Sequence, residues 1–320
     1  MMKRHPIIVI AGPTAVGKSA LGIALAKEWG GEIISMDSMQ VYRGLNIGTA
    51  KIMPEEMEGI PHHLLDIVNP EERFTVEQYQ RLAYQTIREI EERGKLPILL
   101  GGTGLYMDAV LKGFRFAESE ENLAYRKRLE GEMETHGEEA LLEKLKKRDP
   151  RKAASLHPGD RKKIIRALEV LHETGQPMSQ REKAYNSPPD LAPFVIVLER
   201  SRESLYRMVN ERVEKMVGQG LIEEVLGLVR CGKLPPSSQA SKAIGYREVV
   251  WLLRGWVTKQ EMVRLIQKHS RNYAKRQLTW FHKDPKNHFY NVESLTTQEI
   301  QEQLHSKIQN FLQKGNEGTC

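Results

Sequence analysis

Eight consecutive residues, Gly12-Pro13-Thr14-Ala15-Val16-Gly17-Lys18-Ser19, match the phosphate-loop pattern G-x-x-x-x-G-K-S/T. The chemistry needs those types. Glycines let backbone N–H groups converge on phosphate oxygens without a Cβ in the way, and a following helix adds the partial positive charge of its N-terminus. Lys18 would then reach the terminal phosphate, and the Ser19 hydroxyl would ligate Mg²⁺. The pattern implies a bound diphosphate or triphosphate without naming the reaction. No Asn/Thr-Lys-x-Asp string is present to read guanine, and no apolar strand ends in an ATPase's Mg²⁺-binding aspartate, so GTPase and ATPase chemistry are disfavoured. Two further polar groups follow apolar runs. Asp37, in Ser35-Met36-Asp37-Ser38-Met39-Gln40, could accept a proton from an incoming nucleophile or simply cap a turn. Thr103, in Gly101-Gly102-Thr103-Gly104, could hydrogen-bond across the same cleft or cap the helix beginning at Leu105.

Apolar runs at residues 7–10, 32–36, 96–100 and 194–198 predict buried parallel strands, and 288–292 a further short one. Helical patterns separate them. Residues 75–93 carry Val76, Tyr79, Leu82, Ala83, Ile87 and Ile90 on one face, and further helices are predicted at 20–29, 202–217, 221–230, 259–282 and 297–312. This alternation predicts an α/β fold, a P-loop NTPase-like parallel sheet flanked by helices. The stretch 118–192 differs. It consists almost wholly of helix formers and charges, with helices at 123–136, 138–147 and 161–173, and ends in the boundary signal Asn186-Ser187-Pro188-Pro189-Asp190. It reads as an all-helical insertion domain, 116–192, within a catalytic core of 1–115 and 193–320; Gly315 to Cys320 read as a disordered tail.

The 320 residues are 40% hydrophobic and 28% charged, which excludes wholesale disorder. No run approaches the ~20 apolar residues of a membrane span, and the run before Gly12 is too short for a signal-peptide core. Cys231 and Cys320 cannot form a disulfide framework, so a cytoplasmic, membrane-free protein is expected. Net charge is +6, concentrated in residues 193–320, which carry 20 Lys/Arg against 13 Asp/Glu. That asymmetry suits one part doing chemistry while another holds a polyanion. Arg264, Lys268, Arg271 and Lys275 fall on one helical face, apart from Val263, Ile266, Tyr273 and Trp280. Arg161, Lys162, Lys163 and Arg166 crowd a predicted helix start, where cations oppose the dipole and a phosphate would relieve the cost. His62 and His63, with His5 and His157, show no metal-ligand spacing.

Several strings together resemble the tRNA dimethylallyltransferase (tRNA isopentenyltransferase) family: GPTAVGKS at 12–19, DSMQVYRGLNIGTAK at 37–51, PHHLLDI at 61–67 and GGTGLYMDAVLKG at 101–113. HPGDRKKIIRALEV at 157–170, KAIGYRE at 242–248 and YAKRQLTWFHKD at 273–284 extend the resemblance over nearly the whole chain. It implies transfer of a dimethylallyl group from dimethylallyl diphosphate to N6 of the adenosine 3′-adjacent to the anticodon in tRNA. The phosphate loop is then turned from ATP to an isoprenoid diphosphate, with Mg²⁺ on Ser19 and Lys18 on the leaving group. The resemblance makes Asp37 the general base and Thr103 its neighbour at the reacting atoms, and the target base must leave its stack to reach them. Asp37, Ser38, Met39, Gln40, Thr103, Arg126, Lys242, Gly245, Tyr246, Arg247, Lys275, Arg276 and Gln277 are its implied tRNA contacts, in a chain expected to be monomeric.

Three rivals remain open at this point. A small-molecule kinase would show an arginine-rich lid. An enzyme acting on free adenine nucleotides would need neither the insertion nor the basic last third. A non-catalytic RNA-binding protein would leave Asp37 and the intact phosphate loop without a purpose.

Overall fold

A computed structural model describes residues 5–114, 116, 123–181 and 190–317. Its single sheet comprises β1 (His5–Ala11), β2 (Gly31–Met36), β3 (His62–His63), β4 (Leu96–Gly101), β5 (Leu191–Glu199) and β6 (His288–Asn291). The order is β3-β2-β4-β1-β5-β6, and every neighbouring pair is parallel. Four of the five predicted strands fall inside β1, β2, β4 and β5, and β6 closes the edge expected at 288–292. The two-residue β3 was not foreseen, since two residues carry no period to read. Sheet order also fixes the site. The chain leaves β1 toward β2 on one side and leaves β4 toward β5 on the other. The carboxyl ends of β1 and β4 therefore flank the switch point, where ligands bind in open α/β sheets.

Residues of β1 alternate between two buried layers because helices cover both faces of the sheet. Ile8 and Ile10 pack with Leu21, Leu25 and Ala26 of α1 (Lys18–Trp29). Ile7 and Val9 belong to the opposite layer, with Tyr79, Ala83, Ile87 and Ile90 of α2 (Val76–Glu92) and Tyr106 and Val110 of α3 (Gly104–Lys112). Thr75 caps α2 by accepting the Gln78 N–H, while the Gln78 side chain accepts the Thr75 N–H.

Lys112–Pro189 forms a compact unit of its own, described here over its helices α4 (Leu123–Lys146), α5 (Pro150–Ala153), α6 (Arg161–Thr174) and α7 (Met178–Arg181). Gly137, at φ 83°, breaks α4 between the two helices the sequence predicted. Leu129, Met133, Leu141 and Leu145 pack on Ile164 and Leu168 of α6. The boundary string 186–189 lies outside the described residues.

The other unit, Met1–Leu111 with Asp190–Cys320, continues through α8 (Arg202–Gly218), α9 (Leu221–Arg230), α10 (Tyr246–Leu253), α11 (Lys259–Phe281) and α12 (Thr297–Glu317). Helix α10 was not foreseen, because it starts without a Ser/Thr cap: Gly245 sits at φ 96° and donates its N–H to Glu248 Oε2 at 2.7 Å. Helix α12 lays Ile300, Leu304 and Ile308 into the α1 layer. It runs to Glu317, so Gly315 to Glu317 belong to its last turn rather than to a disordered tail.

Candidate active site

The phosphate loop leaves β1 at Gly12, at φ 146°, where a Cβ would stand 2.5 Å from the Leu198 carbonyl oxygen; only glycine fits. The turn closes at Gly17, at φ 93°, directly before α1. Between them Ala15 also takes a positive φ, 64°, and Val16 is buried in the α1 layer. Lys18 folds back so that Nζ donates to the Pro13 carbonyl at 2.7 Å. Burial first, then the nearby Arg212 guanidinium, press its pKa down to about 7, against the opposing pull of Asp37. Ser19 is exposed at the first turn of α1. Thr14 through Ser19 line a cavity of about 430 Å³ at the switch point.

Asp37 follows β2 and lines the same cavity, as do Ser38, Met39 and Gln40. Its Oδ1 accepts the N–H groups of Met39 (2.8 Å) and Gln40 (3.3 Å), so the residue is a cap after all. The capping role uses one oxygen only. Oδ2 has no protein partner among the described residues, which leaves it able to take a proton. The strand end is braced beneath by Tyr79, whose hydroxyl donates to the Ser35 carbonyl at 3.1 Å. Thr103 Oγ1 accepts the Ser38 N–H at 3.2 Å and its own N–H donates to Met36 O, tying the end of β4 to the end of β2.

Three residues gain roles that the strings alone did not give. Gln277 is buried, with Oε1 accepting the Thr14 N–H at 3.0 Å and Nε2 donating to Gly102 O at 2.9 Å. Through both ends of its amide it braces the phosphate loop against the glycine turn after β4, and it lines the cavity as well. Tyr273 lines the cavity with its hydroxyl pushed up to about 12, chiefly by burial and then by Asp37. Arg212, missed altogether, donates from Nη2 to Thr49 O at 3.1 Å and adds a second cation beside Lys18. A signal existed: Arg212 stands three residues after Val209 and four before Met216, hence on the apolar stripe of α8, an unusual seat for a charge. Val209, Val213, Met216, Ile244 and Ile266 give the cavity an apolar wall.

The basic residues divide into exposed and engaged ones. Lys242 is exposed and lines the cavity; Lys275 and Arg276 are exposed on α11, Arg276 with its guanidinium 5.7 Å from the centre of the Tyr273 ring. Arg247 is tied to the buried Glu248 and to His269 Nδ1 at 3.0 Å. Gly245 and Tyr246, expected beside them as tRNA contacts, are buried. Tyr246 is 0% exposed, and its hydroxyl donates to Glu224. In the helical unit, Arg126 grips the buried Glu169 at 2.7 Å, and Arg166 approaches the same carboxylate at 3.5 Å. Lys163 pairs with Asp160 at 2.8 Å and Arg161 with Glu138 at 3.2 Å. These acids offset much of the dipole cost that the sequence reading assigned to a phosphate; Lys162 is exposed with no acidic partner among the described residues.

Among the described residues no group of three His, Cys, Asp or Glu could hold a metal by itself. A profile of the IPP transferase family matches residues 40–284. A tRNA dimethylallyltransferase of Geobacillus thermodenitrificans is 50% identical over 275 residues, 86% of this chain and 87% of the relative. One from Carboxydothermus hydrogenoformans is 44% identical over 309 residues, 96% and 99% of the two chains. The crystal structure of the full-length tRNA isopentenylpyrophosphate transferase from Bacillus halodurans superposes with a TM-score of 0.74 at 41% identity, covering 98% of this chain and 99% of that one. A eukaryotic dimethylallyltransferase acting on tRNA gives a TM-score of 0.81 at 27% identity, over 96% of this chain and 80% of that one. A phosphate loop, a free carboxylate oxygen and an apolar wall facing one cavity are what such an enzyme needs, and with these matches the chain belongs to the tRNA dimethylallyltransferase (IPP transferase) family.

Proposed function

We propose that the cavity at the switch point seats dimethylallyl diphosphate and the N6 amino group of the adenosine 3′-adjacent to the anticodon. The observation that carries this is the shared lining. Cations, a carboxylate and an apolar wall meet in one space, with the diphosphate matched to Lys18, Arg212 and the loop N–H groups. The prenyl chain matches Val209, Val213, Met216 and Ile266. In the transfer, N6 attacks C1 of the dimethylallyl group as the C1–O bond breaks, and the diphosphate leaves with the bonding pair. The N6 proton passes to Asp37 Oδ2. An exocyclic amine is a weak nucleophile, because its lone pair is shared with the ring, so proton removal and leaving-group stabilisation must act together. Lys18 and Arg212 meet the charge that develops on the leaving oxygen.

The donor set fits Mg²⁺. One exposed hydroxyl, Ser19, leaves most positions to diphosphate oxygens and water, which is how this ion is commonly held. When bound, it would add to the charge neutralising the diphosphate. Lys242, Lys275, Arg276 and Lys162 are the exposed cations we assign to tRNA phosphates, the last placing the helical unit in the tRNA contact. No helix among the described residues is long and apolar enough to cross a membrane, and we expect a monomer acting in the cytoplasm. Incubation with labelled dimethylallyl diphosphate and total tRNA, followed by nucleoside analysis, tests the assignment. Label on N6 of adenosine is expected; label elsewhere, or none from folded protein, refutes it.

A further inference from the structure

The stretch 46–51 forms a single coil of backbone that borders the cavity through Gly48, Thr49 and Ala50. Ala50 N–H donates to Ile47 O and Lys51 N–H to Asn46 O, each at 2.9 Å. Like the first turn of any helix, such a coil leaves its leading N–H groups without internal partners. Here those groups converge on a carboxylate from α9. Glu224 accepts the N–H of Asn46 at 3.1 Å, of Ile47 at 2.8 Å and of Gly48 at 3.3 Å. It also accepts the buried Tyr246 hydroxyl. The fit allows no slack: a Cβ on Gly48 would stand 2.4 Å from the Tyr246 ring. Three converging N–H groups make an anion-binding nest, and the chain fills it with its own side chain.

The other end of the coil faces the reaction. Thr49 O accepts from Arg212 Nη2 at 3.1 Å and from Gln40 Nε2 at 3.2 Å, and Ala50 O accepts from Gln40 Nε2 at 3.3 Å. Gln40 stands beside Asp37, and Arg212 beside Lys18. The coil is thus a short strut, anchored at its N–H end by Glu224 and holding two cavity side chains at its carbonyl end. We infer that Glu224, which does not line the cavity, is a positioning residue for the transfer, acting through residues 46–50 to set the Arg212 guanidinium that receives the diphosphate. This rests on the reading of the cavity as the diphosphate seat.

Glu224→Gln tests it. The amide offers one accepting oxygen and turns an NH₂ toward groups that are themselves donors, so the coil must shift. Inorganic pyrophosphate is the probe, titrated by calorimetry into the whole chain, with dimethylallyl diphosphate KM and tRNA Kd measured alongside. The expected result is a roughly ten- to hundredfold weaker pyrophosphate Kd and a matching rise in the donor KM, as is usual for residues that orient a ligand-binding group. The tRNA Kd should stay within about twofold. In a double-mutant cycle with Arg212→Gln, the second substitution should add little once the first is present. Glu224→Asp keeps the charge but shortens its reach; it serves, on the same criterion, if Glu224→Gln does not fold. A lower melting temperature with unchanged pyrophosphate Kd and donor KM, or additive effects in the cycle, would overturn the role of Glu224 alone. Failure of the unmodified chain to bind pyrophosphate would overturn the cavity reading, and this inference with it.

Discussion

Lys18 enters the reaction cycle with its charge half lost. Burial and a second cation, Arg212, hold its pKa at about 7, down from the ordinary lysine value of 10.5. A diphosphate seated against it supplies the missing counter-charge, so the pKa must rise on binding and the complex must take up a proton. The sign follows directly: the charged form binds, the neutral form does not, and raising the pH through 7 weakens binding. With a free-state pKa of about 7 and a bound-state value well above it, the apparent Kd should grow roughly fifty-fold between pH 7 and pH 9. Uptake should be about half a proton per site at pH 7 and about 0.9 at pH 8. Starting at pH 7 keeps the donor's own last phosphate proton, with a pKa of about 6, largely out of the titration. Calorimetry in two buffers of different ionisation enthalpy reads both quantities. Lys18→Arg, which keeps its charge throughout, should flatten the profile. A Kd changing less than about threefold over this range, without proton uptake, would show that Lys18 stays charged in the empty cavity and would refute the reasoning.

Gln277→Ala removes the brace between Thr14 N–H and Gly102 O, leaving the buried Gly102 carbonyl unpartnered at about 1–3 kcal/mol and the half-buried Thr14 N–H facing the cavity. A thermal melt should fall accordingly and the donor KM should rise, while an unchanged KM would reduce Gln277 to a packing residue. Lys275→Gln with Arg276→Gln should weaken tRNA binding and flatten the slope of log K against log salt by roughly 1.4–1.8 for two lost phosphate contacts. Each exposed change should cost under ~0.5 kcal/mol of stability, so normal melting with an unaltered slope would place the tRNA elsewhere. Arg271 is left out of that set, because it donates to Asn210 Oδ1 at 2.6 Å and joins α11 to α8.

Signals that repeat or punctuate were legible in the sequence. The apolar runs placed four strands, Gly137 placed the break within α4, and the glycine-rich loop placed the turn from β1 into α1. Asp37 could be singled out because it ends a strand; the cap engages one carboxylate oxygen and leaves the other for the base we propose. What stayed hidden depends on which side chain meets which across the fold. A string cannot say that Tyr246 points inward while Arg276 points outward. Nor can it say that the amide of Gln277 is consumed by backbone from two distant segments. The cluster at 161–166 illustrates a different failure. Its dipole cost was correctly seen, but the acids that offset it, Asp160 and Glu138, include one from another helix. Arg212 was readable as a charge on an apolar stripe; its purpose needed the Thr49 carbonyl and the neighbouring Lys18.

The central claim is that Asp37 takes the N6 proton while both substrates are already held by other groups. Its most direct test is a single-turnover rapid-quench comparison of the unmodified chain with Asp37→Asn, using preformed complexes with tRNA and labelled dimethylallyl diphosphate. Asparagine preserves the acceptor for Met39 and Gln40 N–H but cannot receive the proton. The rate of label transfer should fall by roughly 10²–10⁴, the range expected of a general base, with the Kd of each substrate changed by less than about threefold. Transfer within a few-fold of the unmodified rate would contradict the account and leave Asp37 as a turn cap.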